Sequence, residues 1–257
     1  MTASDPATGI ERLAAMIAAA SRILVFTGAG VSTASGIPDY RGPQGVWNTQ
    51  RPIEYADFMA SVEARRRSWQ QKLDGWDRFA AVQPNATHHA MVDLERAGKV
   101  EAVVTQNVDG LHAAAGTSEG RLIEIHGTGR LIACQSCGQR TDPEPHFEVF
   151  RTTGEPPLCH CGGVLKSATI SFGQSLDPLD LSAARAAAER SDLVLALGST
   201  LVVYPAADIP LHGAVTGADY AIVNRGRTDH DGHPLVGLRI EGDVTEVVPA
   251  AVARALA

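Results

Sequence analysis

A short apolar run, Ile23-Leu24-Val25-Phe26, leads directly into Thr27-Gly28-Ala29-Gly30, and few folds accommodate that junction. An unbroken, β-rich apolar run of this length suits a strand buried on both faces, as in a parallel sheet. Gly28 and Gly30 let the backbone turn tightly and lie close to a bound group. Residues 31–35 can then start a helix, whose free N–H groups and positive dipole end suit a phosphate. Strand, glycine turn and helix together predict the opening of a dinucleotide-binding α/β fold. There is one departure: Thr33 stands where the full fingerprint has a third glycine, and no acidic residue further on offers an obvious ribose hook. Behind the glycines, Gly36-Ile37-Pro38-Asp39-Tyr40-Arg41-Gly42 gathers a carboxylate, a phenol and a guanidinium in one loop.

A length of 257 residues suits one α/β domain with a smaller insertion. No apolar run is long enough to span a bilayer and no signal peptide opens the chain, so the expectation is a cytoplasmic protein without membrane contact. The net charge of −7 argues against direct nucleic-acid binding, while leaving room for partners with lysine-rich segments. The one basic run, Arg65-Arg66-Arg67, reads as a solvated helix face.

All 4 cysteines fall together, as Cys134-x-x-Cys137 and Cys159-x-Cys161. Without a signal peptide, disulfides are disfavoured and one structural zinc ion, closed by four thiolates, is expected.

Along the chain, residues 1–9 read as a loose tail and 10–20 as an amphipathic helix. Residues 43–82 read as irregular, then helical. They hold all 3 tryptophans, Trp47, Trp69 and Trp76, which are taken as local core. A helix over 87–97 closes at Gly98, and a strand over 101–105 runs into Gln106-Asn107-Val108-Asp109. Polar residues there occupy a strand's carboxyl end, where open α/β sheets bind ligands; Asp109 alone could equally cap the next helix. The strand at 122–125 ends in His126, whereas His88, His89 and His112 fall in helices and read as packing or surface residues. A helix over 181–191 and a strand over 192–197 lead to Gly198-Ser199-Thr200, a second turn offering hydroxyls. A strand over 220–223 ends in Asn224, and Gly242-Asp243 precedes the last helix.

Taken together, residues 23–42, 106–112, 126–174 and 198–243 resemble the sirtuins, NAD-dependent protein deacylases. The resemblance implies a Rossmann-like doubly wound parallel sheet over 1–42, 84–128 and 165–257. It further implies an inserted helical module at 43–83 and a zinc-binding module at 129–164. Residues 53–85, including Arg67-Ser68-Trp69-Gln70-Gln71 and Gly75-Trp76, look closest to the class II branch. By resemblance, NAD meets Gly28, Ala29, Gly30 and Tyr40. The Ile37 backbone and Asp109 hold the carboxamide, and Asn107 and Asp39 shape the nicotinamide pocket. Arg41, Gln106, Ser199, Gly198 and Thr200 serve ribose and phosphates, and Asn224, Gly242 and Asp243 serve the adenosine end.

His126 would be the general base, with Asn107 beside it as a second catalytic residue; an imidazole titrates near neutral pH. Ile170, Phe172, Gly173 and Val203 would line the acyl-lysine peptide. Four places depart from the family: Cys159 sits one residue too close to Cys161, Gln174 replaces a common acid, Ser171 replaces a bulkier residue, and Ser199-Thr200 stand in the reverse of the more usual order. For the first, the knuckle tolerates the change, His160 substitutes as a ligand, or the site is weakened. The implied reaction releases nicotinamide, free lysine and O-acyl-ADP-ribose. The rivals are protein mono-ADP-ribosyl transfer, a non-catalytic NAD or ADP-ribose sensor, and a Rossmann dehydrogenase, the last disfavoured by Thr33.

Overall fold

The computed structural model describes residues 6–40, 42, 45–48 and 51–257. The apolar run becomes β1 (Ile23–Thr27), fully buried between β2 (Val100–Thr105) and β7 (Leu193–Leu197) and parallel to both. β3 (Leu122–Glu124) adds beyond β2, and β8 (Asp219–Asn224) and β9 (Leu238–Glu241) add beyond β7. The resulting parallel order, β3-β2-β1-β7-β8-β9, reverses direction between β1 and β7. A doubly wound sheet opens a crevice at such a switch point, outside the strands' carboxyl ends.

Alternate strand residues face opposite layers. On one side α1 (Pro6–Ala19), α4 (Ala86–Arg96) and α9 (Val244–Ala255) bring Leu13, Ile17, Met91 and Val248 onto Val25, Val103 and Leu195. On the other, α7 (Pro178–Arg190) and α8 (Asp208–Val215) set Ala184, Ala187 and Ile209 against Leu24, Phe26, Val194 and Tyr220. α1 starts at Pro6, so the tail expected through Gly9 is partly helical. Gly9 packs against Ile240, which docks this first turn on β9. The helix expected after the glycines is a 3-10 turn, Ala29–Ser35, closed by Gly36 in the left-handed region.

The second unit is a small antiparallel sheet, β5-β4-β6, built from β4 (Gly127–Cys134), β5 (Arg140–Thr141) and β6 (Leu165–Thr169), with α6 (Glu144–Thr153) beside it. The long α3 (Val62–Ala81) packs against it, preceded by the short α2 (Tyr55–Ala60), which packs on α3. Trp69, only 2% exposed, and Trp76 join Ile132, Phe147, Phe150 and Leu165 in one core, and the Trp69 indole N–H donates to the Leu165 carbonyl at 3.2 Å. Two tryptophans therefore weld α3 to the cysteine-bearing sheet. The arginine run is more structured than a solvated face. Arg65 donates to the Phe58 and Met59 carbonyls at the end of α2, and Arg66 pairs with Glu63 and Glu155.

Candidate active site

The loops after β1, β2, β7 and β8 converge on a cleft of about 1340 Å³. That exceeds the roughly 300–1,000 Å³ of an ordinary small-molecule pocket, leaving room for a cofactor and a peptide side chain together. Its walls include Gly28, Ala29, Gly30, Asp39, Tyr40, Gln106, Asn107, His126, Ile170, Phe172, Gly173, Gly198, Ser199, Thr200, Val203, Asn224 and Asp243. Residues separated by up to 215 positions thus face one cavity. Ile37, Asp109 and Gly242 lie off the cleft wall, and Arg41 lies outside the described residues.

The glycines have a structural duty beyond admitting a ligand. A Cβ on Gly28 would stand 2.7 Å from the Gly198 carbonyl oxygen, and one on Gly30 would stand 2.7 Å from the Gly198 Cα. The Gly30 N–H donates to the Gly198 carbonyl at 2.9 Å. The two turns therefore interlock, and both present backbone to the cleft.

Behind the wall lies a polar network. Asn107, 5% exposed, donates through its amide to the Gly28 carbonyl and the Ser32 hydroxyl, both at 3.1 Å. Asp109, 4% exposed, accepts from the Ser32 hydroxyl at 2.7 Å and caps α5 (Leu111–Ala115) by accepting from the Leu111 N–H at 2.9 Å. Asp109 thus does cap the next helix, and it also braces Ser32. The Gln106 amide donates to the Ser199 hydroxyl at 2.8 Å, joining the loops after β2 and β7. Beneath them, Thr27 donates to Thr105 at 2.8 Å. Thr27 therefore has a lone pair free for the Nε2–H of His112 at 3.0 Å, while Thr105 accepts from the Asn107 N–H at 3.0 Å. His112 and His88 are both buried, consistent with packing roles. Burial pushes His112 down to about 3 and His88 down to about 4, so both are neutral at pH 7.

His126 follows β3 and is half-buried at the cleft. Its Nδ1 lies 3.1 Å from the Gln106 carbonyl. A carbonyl only accepts, so Nδ1 carries the proton and Nε2 is left as the basic atom. Burial lowers the His126 pKa, partly offset by that hydrogen bond. The His126 carbonyl accepts from the Ile170 N–H at 2.8 Å, tying the base to the segment after β6. That segment is braced by buried Lys166, which donates to the Thr169 carbonyl at 2.5 Å and the Ser171 hydroxyl at 3.0 Å. Burial, reinforced by Lys72, pulls Lys166 down to about 8. Gln174 turns back to accept from the Ser171 N–H at 3.2 Å.

Three participants escaped sequence reasoning. Trp47 is no mere local core residue: it lines the cleft, its ring 5.0 Å from Tyr40 and 5.2 Å from Phe172. Ser32 and Lys166 fall inside the resembling stretches but drew no role from the sequence. Only their neighbours in space, Asp109 and Ser171, give them a role.

The four cysteine sulfurs lie within 4.8 Å of one another, with Cys134–Cys161 at 3.5 Å and Cys137–Cys159 at 3.8 Å. Zinc–thiolate bonds of about 2.3 Å give a tetrahedron with edges near 3.8 Å, so the donor set fits one zinc ion. All four thiols are free. Backbone N–H groups of Cys137 and Ser136 lower Cys134 to about 6, favouring the ligating thiolate. The shortened Cys-x-Cys half still reaches the cluster, and the four sulfurs suffice without the exposed His160.

The fold and cleft define an α/β nucleotide-binding protein with a four-thiolate structural metal module. The Sir2 family model matches residues 28–205, and the chain belongs to that family. It is 42% identical over 248 residues to NAD-dependent protein deacetylase 1 of Bradyrhizobium diazoefficiens, covering 96% of this chain and 97% of that one. It is 43% identical over 215 residues to NAD-dependent protein deacetylase 2 of Streptomyces coelicolor, covering 81% and 88%. Among solved structures, a Sir2 bound to a p53 peptide and NAD+ is 31% identical with a TM-score of 0.83, covering 93% of this chain and 95% of that one. A Sir2 bound to a deacetylated p53 peptide and 3′-O-acetyl ADP-ribose is 31% identical with a TM-score of 0.85, covering 95% and 97%.

Proposed function

We propose that the cleft between the two glycine turns and the segment after β6 is where this chain removes acyl groups from protein lysines at the expense of NAD. The chain is an NAD-dependent protein deacetylase. NAD bound there supplies an electrophilic ribose carbon with nicotinamide as leaving group. The carrying observation is the convergence of His126, Gln106, Asn107, Ser199 and Asn224 on one cleft, with the basic Nε2 set by the Nδ1 contact to Gln106.

In this reading Nε2 of His126 takes a proton from a ribose hydroxyl, and Asn107, held by Gly28 and Ser32, shapes the nicotinamide pocket with Asp39. Asp109 and Ile37 both act from behind the wall. Asp109 braces Ser32, and the Ile37 N–H is tied to the Ser32 carbonyl at 3.3 Å, so its meeting with the carboxamide needs this loop to turn. Gly28, Ala29, Gly30, Tyr40, Arg41, Gln106, Gly198, Ser199 and Thr200 serve the ribose and phosphates. Asn224, Gly242 and Asp243 serve the adenosine end. Ile170, Phe172, Gly173 and Val203 flank an acyl-lysine peptide that pairs through its backbone, leaving side-chain choice loose. The larger part, read as 1–42, 84–128 and 165–257, carries the cofactor, although Gly127 and Leu165–Thr169 within those bounds pair in the small antiparallel sheet. The modules at 43–83 and 129–164 carry the rest. Residues 53–85 favour the class II branch. Four free thiols suit a reducing cytoplasm.

Mass spectrometry of a panel of acyl-lysine peptides incubated with NAD tests this function. Free lysine peptide with O-acyl-ADP-ribose supports it. ADP-ribose attached to the protein acceptor favours mono-ADP-ribosyl transfer instead, and no nicotinamide release favours a sensor.

A further inference from the structure

Arg239 sits in the middle of β9 with its side chain only 7% exposed, a costly place for a cation unless every N–H is used. Its Nε donates to Asp231 at 2.8 Å. One terminal nitrogen donates to the Asn224 carbonyl at 3.0 Å and to the Ile240 carbonyl. The other donates to the Gly226 carbonyl at 2.6 Å and to Glu241 at 3.0 Å. Glu241 in turn accepts from the Gly226 N–H at 2.7 Å, and Asp231 accepts from the N–H and hydroxyl of Thr228.

Residues 224–227 line the cleft, and nothing in β8 itself dictates their path once the strand has ended. The Asn224 amide donates to the carbonyls of Arg225 and Gly226, so its side chain follows wherever those carbonyls go. Among the described residues, the planar guanidinium is the one group that grips both the Asn224 and Gly226 carbonyls of this turn. The Gly242 N–H on the Asn224 carbonyl at 3.3 Å, Glu241 on the Gly226 N–H and Asp243 on Arg225 at 2.6 Å also hold it.

We infer that Arg239 is a positioning residue for the adenosine end of the cofactor: from outside the cleft it clamps the Asn224 and Gly226 carbonyls and so presents Asn224 to the ribose. This rests on the proposed placement of the adenosine ribose at Asn224. Arg239 touches neither the peptide segment nor His126, so its effect is confined to cofactor affinity.

The test is steady-state kinetics with NAD and peptide varied separately, ADP-ribose affinity by calorimetry, and thermal melting of the zinc-loaded protein. Arg239→Met is expected to raise KM for NAD and Kd for ADP-ribose together by about tenfold or more, with peptide KM unmoved and kcat at saturating NAD within about twofold. Arg239→Lys, which keeps the charge but loses the fork, is expected to fall between Met and the native residue. A folded Arg239→Met with unchanged ADP-ribose affinity overturns the inference, as does an equal loss of kcat with both KM values intact. If the Met variant does not fold, Lys decides, and ADP-ribose binding equal to native overturns it. Asn224→Ala separates the two layers. Unchanged ADP-ribose affinity there refutes the ribose placement, whereas weakened binding there with none in the Arg239 variants refutes the clamp alone.

Discussion

Replacing Gly198 by alanine tests the interlock of the two glycine turns. Gly198 has φ of +60°, and its new Cβ would stand 2.7 Å from the Val31 nitrogen and 2.8 Å from the Gly30 backbone carbon. These are backbone atoms, so neither side can step aside cheaply. Left-handed strain costs about 1–2 kcal/mol, overpacking about 1–3, and loss of the Gly30 N–H bond to Gly198 about 1 more. A destabilisation of about 3–6 kcal/mol lowers the Tm of a chain this size by roughly 6–24 °C. The backbones it parts both face the cofactor cleft, so KM for NAD rises as well. Gly217→Ala is the control: φ is +110° and nothing lies within 4 Å of the added Cβ. It therefore carries strain without collision, about 1–2 kcal/mol, and leaves KM for NAD alone. Calorimetric melting and NAD-dependent kinetics of both variants are the assay. Gly198→Ala no less stable than Gly217→Ala, with native KM, would show that the turns do not lock each other.

Cys159→Ser removes one corner of the sulfur tetrahedron, and metal analysis is expected to fall from one zinc per chain with loss of the small module's melting stability; full zinc retention would make His160 the fourth ligand. His112 and His88 should add no pH dependence above about 7.5, where both are neutral whether folded or unfolded, while above about 8 the depressed Lys166 should make stability rise with pH. Below about 7.5 the unfolded chain takes up protons that the native His112 and His88 refuse down to about 3 and 4, costing up to about 1.4 kcal/mol per pH unit per imidazole. Glu124, raised to about 7 by burial, is protonated first in the native state and offsets part of that, leaving a net decline. Urea melts between pH 7 and 4.5 check this, and an unchanged midpoint counts against it. Succinyl-lysine should be a poor substrate beside acetyl-lysine. The helical-module window Ser68-Trp69-Gln70-Gln71 offers neither a phenol nor a guanidinium to pair with an acidic acyl group. Trp69 there is spent on the core with Phe147, and efficient desuccinylation in the peptide panel would refute the point.

The strand-to-glycine junction at residues 23–30 and the paired cysteines were legible in the sequence because each is local. A buried parallel strand has to be apolar, and thiolate ligands come in close pairs. Other parts were hidden because their reason lies across the fold. β9 reads Leu-Arg-Ile-Glu, and a charge at its centre argues against a buried strand until Asn224, Gly226 and Asp231 supply the partners. α8 contains Pro210 and Gly213, poor helix formers. Burial of Ile209 and Ala214 outweighs propensity there, and Gly213 lets the helix approach Val194. The link from His112 through Thr27 and Thr105 to Asn107 joins residues up to 85 apart, beyond any periodicity. Trp47 looked like local core because a tryptophan's sequence neighbours do not reveal that Tyr40 and Phe172 flank it.

The most direct measurement of all is a comparison of His126→Ala with the native chain in two assays, NAD affinity and turnover of an acetyl-lysine peptide. With His126 as the ribose-facing base, turnover falls by about 10²–10⁴-fold while the variant folds and binds NAD as tightly as before. Undiminished turnover, or loss of NAD binding in step with activity, would contradict the role given to its Nε2.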